Sequence, residues 1–255
     1  MLSNLDPAAL LSRHNFPLTG FHRVEMGYSN QVWMTETSVI CLSVATDHAY
    51  EVKVATGAFD AGVRTARPLG WGEGYSIWER LPGHPPNAAE LTERVWREVL
   101  EDLERLHARP PIPPKEREQQ YWLGDPSLVN RTQAQAQWTA EERRRLNAAL
   151  GSSSPLTVPL FVHGDVYASN ILINDQGHYV GLIDWGNARW ATLEDECMCF
   201  DDVTVALQRW QSRLDVGLLW RVRLEFLMKL AAHTGRISPA AIREVLSHLQ
   251  AHDSK

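Results

Sequence analysis

Along the first third of the chain, apolar residues fall in short runs separated by turn residues. Such runs, rich in Val, Ile, Trp and Phe, are the mark of short strands. They predict strands over 21–25, 31–35 and 39–45. The turns between them are Gly27-Tyr28-Ser29-Asn30 and Glu36-Thr37. Residues 48–62 predict a short helix ending near Gly62. Two more strands follow, around 67–71 and 75–79, with Gly72 and Gly74 in the turn. Leu81-Pro82-Gly83 and Pro85-Pro86 then interrupt any regular element.

Beyond this point the periodicity changes. Leu91, Val95, Val99, Leu103 and Leu106 recur at helical spacing. Asn87 and Glu90 have the form of a capping box and predict where that helix opens. Thr139 and Glu142 form a second box, opening a helix that Gly151 closes. Residues 158–188 return to strand character. Residues 215–235 predict a long amphipathic helix stopped by Gly235, and Ser238-Pro239 opens a last one. The resulting plan is a β-rich part over roughly 1–80 and a mainly helical part over 81–255 with a small β insert.

Composition narrows the class. The chain has 255 residues, enough for two lobes with a proper core. Its formal charge of -6 argues against a nucleic-acid binder. No apolar run is long enough for a spanning helix, and the start lacks the pattern of a secretory signal. Cys41, Cys197 and Cys199 make neither a disulfide framework nor a persuasive zinc site. These features predict a cytoplasmic protein that binds neither membrane nor nucleic acid.

The chemistry concentrates in one segment, "FVHGDVYASNILINDQGHYVGLIDWGNA" over 161–188. It carries His163-Gly164-Asp165, then Asn170, then Asp184-Trp185-Gly186. Residues 171–183 read as a hairpin with its turn at 174–177. A hairpin returns the chain to its start, so Asp184 comes back beside Asn170. Phosphoryl transfer needs a carboxylate to orient and accept a hydroxyl proton, and oxygen ligands for Mg²⁺. Mg²⁺ takes only one or two carboxylates, with phosphate oxygens completing its shell. Asp165 suits the first role, and Asn170 and Asp184 the second.

The pair H-G-D-x-x-x-x-N and I-D-W-G resembles the aminoglycoside phosphotransferase and choline kinase-like family of small-molecule kinases. It parallels the catalytic-loop and D-F-G signatures of protein kinases. The resemblance implies a bilobal, protein-kinase-like α+β fold and transfer of a γ-phosphate from ATP or GTP, with Mg²⁺, to a hydroxyl of a small molecule. It implies Asp165 as catalytic base, Asn170 and Asp184 as metal ligands, and His163 as a loop brace. It implies a phosphate-covering turn at Gly27, Ser29 and Asn30. Glu51 matches the helix glutamate that pairs with a strand lysine. Residues 78–83, with Glu79 and Leu81, match the hinge that holds adenine.

Two departures stand out. The strand lysine or arginine falls on Ser43, and the strand holds no basic residue; Arg23 and Lys53 are the nearest. Ser43 cannot neutralise a phosphate, so a weakly active or inactive nucleotide-binding protein is the alternative reading. A metal-dependent phosphoesterase is a third, but it wants more His and Asp ligands than this segment supplies. After D-W-G the chain is acidic, with Glu194, Asp195, Asp201 and Asp202, and Glu196 stands where the family has a buried Asp. Beside Trp185 and Trp190, Glu194 and Asp195 predict either a solvated helix start or a contact to a cationic substrate such as an aminoglycoside.

Overall fold

The computed structural model describes residues 5–24, 31–112, 120–123, 125–151, 154–157, 160–234 and 238–253. Gly27, Ser29 and Asn30 lie outside them. In chain order, α1 (Pro7–Arg13) opens with Asp6 capping Ala8 N–H and Pro7 in the first turn, where its missing N–H costs nothing. It precedes β1 (His22–Val24), β2 (Gln31–Met34) and β3 (Ser38–Leu42). Then come α2 (His48–Asp60), capped by Asp47, and the hairpin β4 (Pro68–Gly72) with β5 (Tyr75–Glu79). Helix α3 (Glu93–Ala108) follows. β6 (Gln120–Leu123), α4 (Ser127–Ala136), α5 (Ala140–Leu150), β7 (Ser154–Thr157) and β8 (Leu160–Val162) lead to the motif segment. There β9 (Ile171–Ile173) and β10 (Tyr179–Leu182) form the hairpin. β11 (Arg189–Ala191), α6 (Leu193–Cys197), α7 (Thr204–Trp210), α8 (Val216–Thr234) and α9 (Pro239–Asp253) complete the chain.

By compactness the chain forms two units, one of residues 1–113 with 165–189, the other of 114–164 with 190–255. In the first, five antiparallel strands run in the order β1-β2-β3-β5-β4. β3 alternates, with Ser38, Ile40 and Leu42 buried and Val39 and Cys41 on the opposite, less buried face. Ile40 and Leu42 join Leu10, Leu11, Tyr75 and Ile77 in one apolar cluster. α1, an element not expected from the sequence, supplies two of its members. The same unit holds the β9–β10 hairpin, registered Tyr179 to Ile173 and Leu182 to Ile171. That hairpin packs on α3, and Arg94 Nη2 donates to the Gly177 carbonyl in its turn at 2.9 Å.

The chain at 83–84 also runs along this hairpin. His84 N–H donates to the Ile173 carbonyl at 2.9 Å, and Ile173 N–H returns to the His84 carbonyl at 3.0 Å. A Cβ at Gly83 would stand 2.6 Å from the Ile173 oxygen, so only glycine permits this approach.

The start of α3 corrects an expectation. Asn87 and Glu90 make only half of a capping box: Asn87 N–H donates to Glu90 Oε2 at 2.8 Å, but Asn87 Oδ1 accepts from Ala89 N–H at 2.9 Å, and Glu90 N–H donates to the Asn87 carbonyl at 3.0 Å. They close a turn instead of a helix. The helix begins at Glu93, with Thr92 as its cap. Asn and Glu side chains bond nearby backbone amides in turns as readily as at helix starts.

The second unit is built on α8, against which α4, α5, α6 and α9 pack. Thr139 and Glu142 form the expected box at the start of α5. β6 pairs with β7, and β8 with β11. Among the described residues no helix is long and apolar enough to cross a membrane.

Candidate active site

Asp165 follows β8 through Gly164, whose φ of +73° lies in the left-handed region. The two residues leading into it are held by a buried acid. His163 N–H donates to Glu196 Oε2 at 2.9 Å, and Gly164 N–H to Glu196 Oε1 at 3.1 Å. Glu196, on α6, is fully buried. Its carboxylate therefore spends both oxygens on backbone donors, which is how a buried charge is made tolerable. The ring of His163 is buried as well.

A tight 3₁₀ turn over residues 168–170 brings Asn170 back to Asp165. Asn170 Nδ2 donates to the Asp165 carbonyl at 2.9 Å and to its Oδ2 at 3.1 Å. Asn187 Nδ2 donates to the same carboxylate oxygen at 3.1 Å. With the amide nitrogen so engaged, the oxygen of Asn170 is left as its accepting atom. Asn187 was not singled out from sequence; its position just after D-W-G is the signal that places it.

The hairpin closes the site. Ile183 N–H donates to the Asn170 carbonyl at 3.0 Å, so the return strand ends beside the turn that carries Asn170. Asp184 then adopts φ +66°, ψ +76°, a conformation that non-glycine residues seldom take. The next residue, Trp185, is buried and donates its indole N–H to Thr65 Oγ1 at 2.8 Å. Anchoring Trp185 inward turns Asp184 the other way. The withdrawal of water around Asp184, followed by the Glu51 and then the Asp165 carboxylates, pushes its carboxyl up to about 6; the Gly186 amide opposes this. The carboxylate keeps open surface, so solvent screens much of the energetic cost.

Glu51 is buried on α2. α2 packs against the turn after Asp184, and Tyr50 Oη donates to the Ala188 carbonyl at 2.7 Å. Glu51, Asp165 and Asp184 thus share one neighbourhood. Among the described residues no Lys or Arg pairs with any of the three. Lys53 is exposed, and the Arg23 guanidinium lies over the Trp33 ring at 5.6 Å. Nor do three His, Cys, Asp or Glu side chains among the described residues gather into a metal cage.

Ser43 lies one residue past the end of β3, and its hydroxyl accepts from the amides of Ala45 and Thr46 at 3.2 and 3.3 Å. The strand residue that feels the acidic site is Cys41. Loss of water, then Glu51, then Asp184 push its thiol up. The period-two pattern through Ser38, Ile40 and Leu42 is the signal that assigns Cys41 to this face.

The remaining candidates have structural partners. Glu79 ends β5 and is paired with Arg67 at 3.0 Å, and Leu81 lies against Gly181. Glu194 Oε1 accepts from Asp215 N–H at 2.8 Å. Asp195 is the capping-box partner of Thr192. Both acids are buried, in contrast to a solvated helix start. Trp190 stacks edge-on against Phe161 at 5.8 Å.

The family model described as "Phosphotransferase enzyme family" matches residues 21–211. The chain belongs to this family. A search of curated proteins found no match. Solved structures are similar across almost the whole chain. A spectinomycin phosphotransferase, in complex with ADP and spectinomycin, has a TM-score of 0.62 at 12% identity, covering 97% of this chain and 94% of the other. A macrolide 2'-phosphotransferase from Brachybacterium faecium has 0.60 at 18%, covering 94% and 96%. A choline/ethanolamine kinase family protein from Mesorhizobium loti has 0.53 at 14%, covering 98% and 91%. At such identities the likeness establishes the fold. It is the protein-kinase-like α+β fold expected from the motifs, with a β-sheet N-terminal part and a helical C-terminal part.

Proposed function

We propose that this chain transfers the γ-phosphate of ATP or GTP to a hydroxyl of a small molecule. One observation carries the reading: Asp165 and Asn170 are hydrogen-bonded to each other at 3.1 Å, and the hairpin returns Asp184 close enough to feel the charge of Asp165. An amide oxygen and a carboxylate, with a second carboxylate nearby and, among the described residues, no Lys or Arg paired to them, fit a hard divalent cation. Asn170 and Asp184 would hold Mg²⁺, which when bound supplies charge neutralisation across the phosphates.

The protein's own part is positioning. Asn170 and Asn187 fix the Asp165 carboxylate through the same oxygen, Oδ2, leaving Oδ1 to orient the acceptor hydroxyl and take its proton. Glu196 holds the backbone just before Asp165. In this reading residues 1–80 cover the nucleotide, Glu79 and Leu81 flank the adenine strip, and 81–255 supply the acceptor side. Proteins with similar folds include, by name, a spectinomycin phosphotransferase, a macrolide 2'-phosphotransferase and a choline/ethanolamine kinase family protein. Aminoglycosides, macrolides and amino-alcohols therefore head the acceptor screen. A nucleotide-binding protein with little turnover is the second reading, favoured by the neutral Cys41 and Ser43 on and after β3.

The test is calorimetric titration of ATP and GTP with and without Mg²⁺, followed by transfer assays. Asp165→Asn is expected to lower transfer by about 10²–10⁴-fold while nucleotide still binds. Asp184→Asn is expected to lose metal-dependent nucleotide binding. Transfer that survives Asp165→Asn would show that the base is wrongly assigned. Metal-dependent binding without transfer to any acceptor would favour the second reading.

A further inference from the structure

Glu51 presents a problem that the phosphotransferase reading leaves unsolved. Its side chain is more than nine-tenths buried, and Oε2 has no hydrogen-bond partner among the described residues. Its nearest charged candidate is His48, whose Nδ1 lies 3.7 Å from Oε2, too far for a hydrogen bond. The ring of His48 is committed elsewhere. Nε2 lies 3.1 Å from the Ser43 carbonyl, which can only accept, so Nε2 carries the proton. Nδ1 lies 3.0 Å from Ser76 Oγ, and that oxygen in turn accepts from the indole N–H of Trp78 at 2.9 Å. The contacts with Ser76 and Ser43 thus engage both ring nitrogens of His48 without Glu51.

Glu51 thus has a buried carboxylate oxygen without a donor among the described residues, on a helix packed against the turn after Asp184, and its charge acts on Asp184 and on the strand residue Cys41. Leaving such a group unpaired is among the costlier arrangements a fold can hold. α2 is nevertheless fixed in this position by Tyr50 on Ala188. An arrangement that brings two carboxylates together and, among the described residues, pairs no Lys or Arg with them is suited to a cation from outside.

We propose that Glu51 is a metal ligand, and that a divalent cation binds between the Glu51 and Asp184 carboxylates on the α2 side of the site. Two carboxylates with water or phosphate oxygens satisfy a hard divalent ion, which needs no third protein ligand. The inference rests on the assignment of Asp184 as a metal ligand.

Mn²⁺, followed by electron paramagnetic resonance without nucleotide, tests it on the full chain. Glu51→Gln is expected to weaken Mn²⁺ binding by at least about tenfold. In EDTA the same variant is expected to melt higher than wild type, by about 2 °C or more, because the unpaired charge is gone. Asp184→Asn is the companion. If Asp184→Asn loses Mn²⁺ and Glu51→Gln binds it like wild type, the inference falls and the metal role of Asp184 stands. If neither variant changes Mn²⁺ binding, both fall. Cys41→Lys asks the same question with Glu51 intact: an ammonium beside the two carboxylates should displace Mn²⁺, and unchanged affinity in that variant overturns the proposal.

Discussion

Asp102 shows how far one residue can depart from its pattern. It lies on α3 among the charged residues of a strongly amphipathic helix, yet it is fully buried. The Arg64 backbone N–H and Nε donate to its Oδ2 at 3.1 and 2.9 Å, and Arg105 pairs with Oδ1. Arg64 also reaches Glu98 at 3.2 Å and lies over the Tyr179 ring at 4.3 Å. One carboxylate therefore ties α3 to the loop before β4, and through Arg64 to β10. Asp102→Ala is expected to cost about 3 kcal/mol, since it strips a buried acceptor from two arginines and an amide. Urea unfolding would measure it; a change under about 0.5 kcal/mol, the range of ordinary surface positions, would mean that the network contributes little. Cys41 and Ser43 give the same lesson at the site. Their spacing in sequence is trivial, but the end of β3 falls between them and turns one toward the acids and the other toward backbone amides.

At the scale of elements, α5 and α9 are clipped together by one ion pair. Arg243 Nε donates to Glu142 Oε1 at 2.5 Å, and Glu142 Oε2 accepts from Thr139 N–H at 2.8 Å. Arg243 first, then the Thr139 amide, hold the Glu142 carboxyl down at about 2. The sign follows from linkage. The unfolded chain takes up this proton near 4.5, before the folded one does. The stabilisation is therefore fully present above about 4.5 and is lost as pH falls toward 2. Wild type should exceed Glu142→Gln in stability at pH 6, and the gap should close between pH 4.5 and 2. The pair is largely open to solvent, so the gap will be modest and smaller in high salt. A gap that does not change with pH would show that hydrogen bonding alone, without charge, holds the clip. The turn at Asn87 and Glu90 belongs to this scale too: the pattern for a helix start was legible, but the helix waits for Thr92.

For the whole molecule, binding to the native state alone must raise stability by mass action. If the site takes Mg²⁺ with nucleotide, wild type should gain about 2.7 kcal/mol at a ligand concentration a hundred times Kd. Differential scanning calorimetry should show that gain with Mg²⁺ and nucleotide together and lose it in Asp184→Asn. A gain retained in Asp184→Asn would place the ligand elsewhere. The compact units do not follow a single cut in the sequence. Residues 165–189 leave the helical part and associate with 1–113, because His84 pairs with Ile173 and Trp185 reaches Thr65.

The sequence by itself determined the strand-rich first third with its helix, the later change to helical periodicity, the hairpin after Asn170 and the family. These depend on local periodicity, turn chemistry and a motif whose spacing is dictated by phosphoryl transfer. It also marked Glu196 as the acid in the place of a buried one, and the structure gives that acid two backbone amides. Only the tertiary structure decided which polar residues are buried and what each one meets. Nothing in a one-dimensional pattern marks Asp102, Glu51, Glu194 or Asp195 as buried. Their environments are set by residues far along the chain: Arg64 for Asp102, Asp184 for Glu51, Asp215 for Glu194. A charge carries no local sign of its partner, because electrostatic pairing acts through space and the chain path that brings the partners together is a property of the whole fold.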